Sequence, residues 1–139
     1  MIPSAKPTDS ADVPPSAPAD GALATRPLQP LVDALRAFAA ERAWAPFHTP
    51  KNLASALSVE AAELLEHFQW LTAEQSQSLP ADKKEQVAAE AADVFLYLLQ
   101  LCDQLGIDLV AAAHAKMQVN ALKYPVPLSH GSAAKYTDL

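Results

Sequence analysis

Val59-Glu60-Ala61-Ala62-Glu63-Leu64-Leu65-Glu66-His67-Phe68 is the stretch that decides the fold. At 100° per residue, Glu60 and Glu63 fall on one side of a helix, in a stripe that also carries leucine. The leucines of that stripe are Leu53, Leu57, Leu64 and Leu71. A helix face that is expected to bury leucine therefore carries two carboxylates.

A second segment, Glu90-Ala91-Ala92-Asp93, repeats this arrangement further along the chain. Its acids share a stripe with Val87, Val94, Leu98, Leu101 and Leu105. Carboxylates on two inward faces repel one another and resist burial unless their pKa values shift, Lys or Arg pairs with them, or a metal binds. We predict two facing helices with a cation between these acid pairs.

The donor set favours a hard divalent cation, because carboxylate oxygens suit Mg²⁺, Mn²⁺ or Ca²⁺ better than zinc or copper. A di-iron centre requires Glu-x-x-His motifs, whereas the residues three before His67 and His114 are Leu64 and Ala111. Alternatively, the acids lie at a face boundary, exposed or paired with lysine. A single motif would favour that alternative. Two motifs, both centred on apolar stripes, favour a metal site.

Composition limits the class of protein. The chain has 139 residues, half of them apolar, and only three glycines, which indicates one domain rich in helix. A net charge of −6 argues against a nucleic-acid polymer as partner, although a metal would still allow nucleotides. No apolar run is long enough for a membrane span. The single cysteine, Cys102, excludes a disulfide framework, and the N-terminus does not have the pattern of a secretory signal, so we expect a cytoplasmic protein.

The order of elements predicts an all-α fold. Residues 1–27 contain six of the twelve prolines and are predicted to be a disordered tail rather than a transit peptide, since acids outnumber bases there. Helices are predicted from Pro30 to about Ala43, from Pro50 to Leu71, from an N-cap at Asp82 to Leu105, and from 109 to 123 after an N-cap at Asp108. Gly106 should end the third helix. We predict a four-helix bundle over 28–127, followed by a mobile tail at 128–139.

Several polar and aromatic residues have two possible roles. Trp70 could stack on a base or cover the end of the core, and Tyr97 could bind a ligand or lie at the core boundary. Lys116, Asn120 and Tyr124 form a stripe suited to phosphate, base and sugar contacts, but a solvated helix face has the same composition. Glu66 and His67 are weaker candidates, more suited to supporting the metal ligands than to being ligands.

The motifs resemble the MazG-like nucleotide pyrophosphohydrolases of the all-α NTP pyrophosphatase superfamily, and most closely its dCTP pyrophosphatase branch. The matching blocks are Phe38-Ala-Ala-Glu41-Arg42-Ala-Trp44, Phe47-His48-Thr-Pro50-Lys51-Asn52-Leu53, Glu60-x-x-Glu63-Leu64-x-Glu66-x-Phe68-Gln69-Trp70, Glu90-x-x-Asp93-Val94-x-x-Tyr97-Leu98 and Lys116-Met117-x-x-Asn120-x-x-x-Tyr124-Pro125. The resemblance spans about residues 30 to 127. The family often has two adjacent acids at the start of its first motif, whereas the first of these positions is Val59 here.

The resemblance implies hydrolysis of a nucleoside triphosphate, with dCTP or a modified dCTP as the expected substrate, to the monophosphate and pyrophosphate. Mg²⁺, or Mn²⁺ as a substitute, would be held by Glu60, Glu63, Glu90 and Asp93. Glu60 or Glu63 could accept the proton of the attacking water. The implied substrate contacts are Trp44, His48, Trp70, Tyr97, Lys116, Asn120 and Tyr124.

The same resemblance implies self-association, as a dimer or a dimer of dimers with a substrate pocket shared between subunits. Val59 and Leu65 lie well off the main stripe of the second helix, as expected for a second buried surface. Two rival activities within the superfamily are those of phosphoribosyl-ATP pyrophosphatase and of dimeric dUTPase-like enzymes. A different class is a non-catalytic helical assembly or binding module with a structural metal site.

Overall fold

The computed structural model describes residues 28–138, and all regular structure within them is helical. The all-α prediction is therefore confirmed, whereas the predicted disordered tail at 1–27 lies outside the described residues. The helices are α1 (Gln29–Glu41), α2 (Pro50–Glu66), α3 (Ala73–Ser76), α4 (Ala81–Gln104), α5 (Leu109–Lys123) and α6 (Val126–Ser129), with a 3₁₀ turn at Tyr136–Asp138.

The starts of the long helices follow local capping chemistry. Pro30 lies in the first turn of α1, as predicted. The Thr49 side chain accepts a hydrogen bond from the Asn52 N–H, and Asp108 accepts one from the Ala111 N–H at 2.9 Å, as predicted. The prediction of Asp82 as an N-cap is wrong. Pro80 takes that position, and Asp82 lies in the first turn of α4, where its charge complements the helix dipole.

The ends of α1 and α4 share one hydrogen-bonding pattern. After α4, the Ile107 N–H donates to the Cys102 carbonyl at 2.9 Å, and Gly106 has a φ of +64°. This is a Schellman cap with glycine in the left-handed position, which confirms Gly106 as the stop. After α1, the Trp44 N–H donates to the Ala39 carbonyl at 3.0 Å, but the left-handed residue is Ala43, with a φ of +53°.

The second helix is shorter than predicted. α2 ends at Glu66 rather than Leu71, because tighter turns follow, in which the Phe68 and Leu71 N–H groups donate to carbonyls three residues earlier. The segment between the second and third predicted helices contains the one-turn helix α3. It begins with a capping box, in which Thr72 and Gln75 each accept a hydrogen bond from the other's backbone N–H.

Packing is concentrated between α2 and α4, which lie against each other along their lengths, and α1 packs on α4. Among residues 28–138, only Leu53, Leu99 and Cys102 are buried. The Arg36 guanidinium joins α1 to α4 through two hydrogen bonds to the Asp103 carboxylate, at 2.8 and 2.6 Å. These contacts position the faces of α2 and α4 that carry the acid motifs.

The last long helix, α5, diverges from α4 by 101° and makes no extensive contact with the other described helices. Its apolar side chains Met117 and Leu122 are 68% and 83% exposed. A closed four-helix bundle is therefore not confirmed within one chain. In residues 28–138 no single helix is long and apolar enough to cross a membrane, and α4 with α5 meets that criterion as a bent pair by length and composition only.

Candidate metal centre and aromatic cleft

Packing of α2 on α4 brings three of the four predicted ligands together. Glu60 extends from α2, and Glu90 and Asp93 extend from α4, with carboxylate oxygens that lie within 4.8 Å of one another. Glu60 and Glu90 are half-buried, and Asp93 is exposed. The two acid motifs therefore face each other across the helix interface, as predicted.

The carboxylates of the cluster lie close to one another without a Lys or Arg ion pair in residues 28–138. The pKa of Glu60 is raised above its ordinary value of 4.5, chiefly because burial disfavours the charged form and then because Glu63, Asp93 and Glu90 lie nearby. Among residues 28–138, no Lys or Arg nitrogen lies within 4.0 Å of any of these four carboxylates. Lysine pairing is therefore absent from the described part of the chain. A set of oxygen donors of this kind fits a hard divalent cation.

The fourth predicted ligand, Glu63, lies outside the three-residue cluster and is exposed. It lines an adjoining cleft of about 330 Å³ together with Glu66, His67, Lys83 and Glu90. His67 Nε2 lies 4.0 Å from Glu90 Oε1. The imidazole is therefore next to the three-residue cluster but is not one of its members. Glu63 faces the same group of charges, since it contributes to the raised pKa of Glu60.

An aromatic cleft of about 360 Å³ lies between α1, the 42–49 connection and α4. Trp44, His48 and Tyr97 line it, and so does Asp93. Three predicted substrate contacts and one predicted metal ligand therefore share a single cleft. Its remaining lining is largely aliphatic, from Leu31, Ala34, Leu35 and Leu96. A cleft of this kind can hold a flat, partly apolar group such as a nucleobase next to the acids.

The Trp44 ring is held from two sides. Its centroid lies 5.7 Å from that of Phe38 and 5.7 Å from that of His48, both in edge-on geometry. The Arg42 guanidinium lies 3.5 Å from the centroid of Phe38 and 6.0 Å from that of Trp44. Trp44 follows the left-handed Ala43, and the contact with Phe38 is the apolar contact that accompanies a Schellman cap. The end of α1 therefore sets the orientation of the ring.

The other predicted substrate contacts are not brought to this cleft within one chain. Trp70 is 86% exposed beyond the end of α2. Lys116 and Asn120 lie on the exposed α5, and Tyr124 directly follows it, with its ring packed edge-on against Tyr136 at 5.9 Å. None of the four lines either of the clefts described above. Their role in substrate binding stays a prediction.

Two residues of the clefts were not identified from the sequence. Lys83 lies in the acid-lined cleft, and Gln100 lies in the aromatic cleft. Lys83 precedes Glu90 by seven residues and Gln100 follows Asp93 by seven, so each returns to the same side of α4 after two turns. This spacing was the available signal, because polar residues two turns from an acid on the same side of a helix are expected to share its surroundings.

The fold and the acids define an all-helical protein with a site suited to a divalent cation beside an aromatic cleft. Comparison with known sequences identifies the family to which this chain belongs. The MazG-like family model matches residues 55–139, more than half of the chain, and the chain belongs to that family.

The chain is also similar to several dCTP pyrophosphatases. The chain is 46% identical over 104 residues to dCTP pyrophosphatase 1 of Mus musculus and 41% identical over 104 residues to that of Homo sapiens, with 73% of this chain and 61% of each relative covered. The chain thus spans about three fifths of the length of these relatives. The crystal structure of a pyrophosphatase from Archaeoglobus fulgidus superposes with a TM-score of 0.68 at 44% identity, covering 72% of this chain and 94% of that one.

Proposed function

We propose that this protein is a nucleoside triphosphate pyrophosphohydrolase, which cleaves its substrate to the monophosphate and pyrophosphate. The observation that carries the proposal is the convergence of Glu60, Glu90 and Asp93, without a Lys or Arg partner in the described chain, beside an aromatic cleft that shares Asp93. The names of the relatives support dCTP or a modified dCTP as the substrate. This role would be housekeeping of the nucleotide pool.

The proposed cofactor is Mg²⁺, with Mn²⁺ as a possible substitute, held by Glu60, Glu63, Glu90 and Asp93. When bound, the ion supplies charge neutralisation for the triphosphate and lowers the pKa of a water. Glu60, within the cluster, is one of the two candidates for the general base that accepts the proton of that water. Glu63, which is exposed and next to the cluster, is the second candidate.

The aromatic cleft is the proposed site of the base. The Trp44 ring offers a stacking surface, and His48 and Tyr97 offer polar atoms beside it. Because Asp93 lines the same cleft, a base held there leaves the phosphates on the side of the acids. This arrangement orients the triphosphate with the scissile bond toward the metal ligands.

We also propose self-association, as a dimer or a dimer of dimers. Support comes from the exposed apolar side chains of α5, Met117 and Leu122, and from Val59 and Leu65 of α2, which are 55% and 60% exposed. Burial of α5 against a second chain would complete a helical bundle and bring Lys116, Asn120 and Tyr124 to a site. A cytoplasmic location stays a prediction, consistent with a single free, buried cysteine.

The test is pyrophosphate release from a panel of dNTPs and modified dNTPs in the presence of Mg²⁺. Glu63→Gln and Asp93→Asn should each abolish release, because both remove a charge from the metal set, and helicity by circular dichroism should stay unchanged. Glu85→Gln, an exposed acid of α4 outside both clefts, is the matched control and should keep full activity. Undiminished turnover in Glu63→Gln and Asp93→Asn would refute the assignment.

The same experiment distinguishes a non-catalytic module. A protein that uses the acids for a structural ion would show a rise in thermal stability with Mg²⁺ but no further shift on addition of a dNTP, and no pyrophosphate. For the proposed enzyme, we expect both shifts together with turnover.

A further inference from the structure

The position of Gln100 in the aromatic cleft has no role in the function proposed so far. Gln100 is half-buried on α4 and lines this cleft together with Trp44 and Tyr97. It also lines a small neighbouring cavity of about 40 Å³, and it shares this double position with Leu35 and His48. Gln100 therefore lies where the wide aromatic cleft meets the small cavity behind it.

The carboxamide of Gln100 is available for a ligand. It takes part in none of the hydrogen bonds among residues 28–138, whereas Asp103, three residues further on, is engaged by Arg36 at 2.6 and 2.8 Å. A carboxamide offers an N–H donor and a carbonyl acceptor side by side. The Watson–Crick edge of a nucleobase presents the complementary pair of groups. His48, the other polar group at this wall, offers single ring nitrogens instead.

The spacing along α4 fits a nucleotide held from end to end. Gln100 follows Asp93 by seven residues, which corresponds to about 10.5 Å along the helix axis. Tyr97 lies between them on the same side of the helix. A nucleotide with its phosphates at Asp93 and its base beside Trp44 would therefore direct the far edge of the base toward Gln100.

We propose that Gln100 is a specificity-determining residue, whose carboxamide hydrogen-bonds the Watson–Crick edge of the base held in the aromatic cleft. This inference rests on the proposed function, because it assumes a nucleotide in that cleft. Stacking on Trp44 accepts any base, since every base has a π-face. Discrimination among bases therefore requires a group such as Gln100 at the edge.

The test compares kcat/KM for four dNTPs, and for a dCTP analogue that lacks the 4-amino group, in the wild type and in Gln100→Leu. Leucine keeps the approximate volume and the helix propensity but removes both hydrogen-bonding groups. The wild type should distinguish its preferred base from the others by about 5- to 150-fold, as expected for a paired donor–acceptor contact. In Gln100→Leu this spread should collapse to within about 3-fold.

Two further variants separate base recognition from a structural effect. Gln104→Leu makes the same change one turn further along α4, at a residue that lines the small cavity but not the aromatic cleft, and should keep the wild-type spread. Gln100→Glu retains acceptors but has no donor. It can accept from the cytosine amino group or from the thymine N3–H, but it cannot donate to cytosine N3 or thymine O4, so kcat/KM for both dCTP and dTTP should fall below the wild-type values.

The outcomes distinguish this inference from the proposed function. Pyrophosphate release by the wild type, with an unchanged base spread in Gln100→Leu, would overturn the role of Gln100 and leave the enzyme assignment intact. No release from any nucleotide would overturn the enzyme assignment. The same comparison would then be made with dissociation constants from calorimetry in the presence of Mg²⁺, and equal affinities in both proteins, or no binding, would overturn the role of Gln100.

Discussion

The charge of the acid cluster makes a prediction that does not depend on catalysis. Glu60→Gln should stabilise the metal-free protein at pH 7 and destabilise the Mg²⁺-bound protein relative to the wild type. Gln keeps the shape and the helix propensity of Glu, so the change isolates the charge. The sign of the effect should therefore reverse when the metal is added.

The magnitude follows from the geometry of the cluster. At 4.8 Å, the upper limit of the separation between the Glu60 oxygen and those of Glu90 and Asp93, each repulsion amounts to about 0.9 kcal/mol in a water-like dielectric. Screening at 0.1 M salt, where the Debye length is about 10 Å, reduces the two repulsions to about 1 kcal/mol in total. For a domain of this size, that corresponds to a rise in Tm of about 4 °C.

The metal adds the opposite contribution. At a concentration of 100 times its Kd, Mg²⁺ stabilises the wild type by about 2.7 kcal/mol. If the variant binds 100-fold more weakly, the same concentration contributes only about 0.4 kcal/mol. Taking the 1 kcal/mol advantage of the metal-free variant into account, Glu60→Gln should then be less stable than the wild type by about 1.3 kcal/mol in Mg²⁺.

The assay is thermal unfolding followed by circular dichroism, at fixed protein concentration, with EDTA or with Mg²⁺. The control is Glu85→Gln, which removes an exposed acid of α4 outside the cluster and should give the wild-type Tm in both conditions. Because the pKa of Glu60 is raised, its protonation favours the folded state, and metal-free wild type gains stability as the pH falls from 7 through that raised pKa toward 4.5. The Tm difference between wild type and Glu60→Gln in EDTA should narrow over the same range.

Two results would refute this argument. A lower Tm of Glu60→Gln in EDTA would mean that the Glu60 carboxylate is compensated by a partner in the folded protein. An equal Mg²⁺-induced shift in variant and wild type would mean that the ion binds without Glu60.

Two other predictions concern the cap of α1 and the sharing of the site between chains. Ala43→Gly should raise stability by about 1 kcal/mol in urea unfolding, because glycine relieves the left-handed conformation at φ +53°, whereas Ala40→Gly inside α1 should destabilise. A loss of stability in Ala43→Gly would contradict the strain argument. Mixing inactive Glu63→Gln with inactive Lys116→Ala should restore pyrophosphate release if the site is shared, because some mixed assemblies contain one intact site. No recovery, in mixtures shown by native mass spectrometry to exchange subunits, would place both residues on one chain's site.

Helix positions were largely predictable because their signals are local. Pro30, Asp108 and Gly106 act on their own first or last turns, and the structure has each in the expected role. The errors were local as well. The N-cap of α4 is Pro80 instead of Asp82, and the capping box of Thr72 with Gln75 was overlooked although its spacing is visible in the sequence. α2 ends early because tight turns follow Glu66, and the spacing of apolar residues in the sequence does not predict those turns.

The site was predictable where one helix face defined it. Glu60, Glu90 and Asp93 converge because their motifs are centred on the stripes that α2 and α4 bury against each other. The aromatic cleft was accessible only through resemblance, since Trp44 and Tyr97 are distant in sequence and meet through the packing of α1 on α4. Gln100 was missed, although its seven-residue spacing from Asp93 is visible in the sequence, because spacing alone does not show that α1 packs over this side of α4.

The residues that remain outside the clefts share one physical property, which connects self-association with substrate binding. The Trp70 side chain is 86% exposed. Lys116 and Asn120 lie on α5, whose large apolar side chains Met117 and Leu122 are exposed as well. With only Leu53, Leu99 and Cys102 buried in the described chain, the core of one protomer is small, and burial of α5 against another chain would enlarge it. Lys116 and Asn120 lie on the same helix, and Tyr124 directly follows its end. If a second chain covers α5, Lys116, Asn120 and Tyr124 come next to the surface of that chain. Dissociation should then lower nucleotide affinity together with stability, and both should depend on protein concentration.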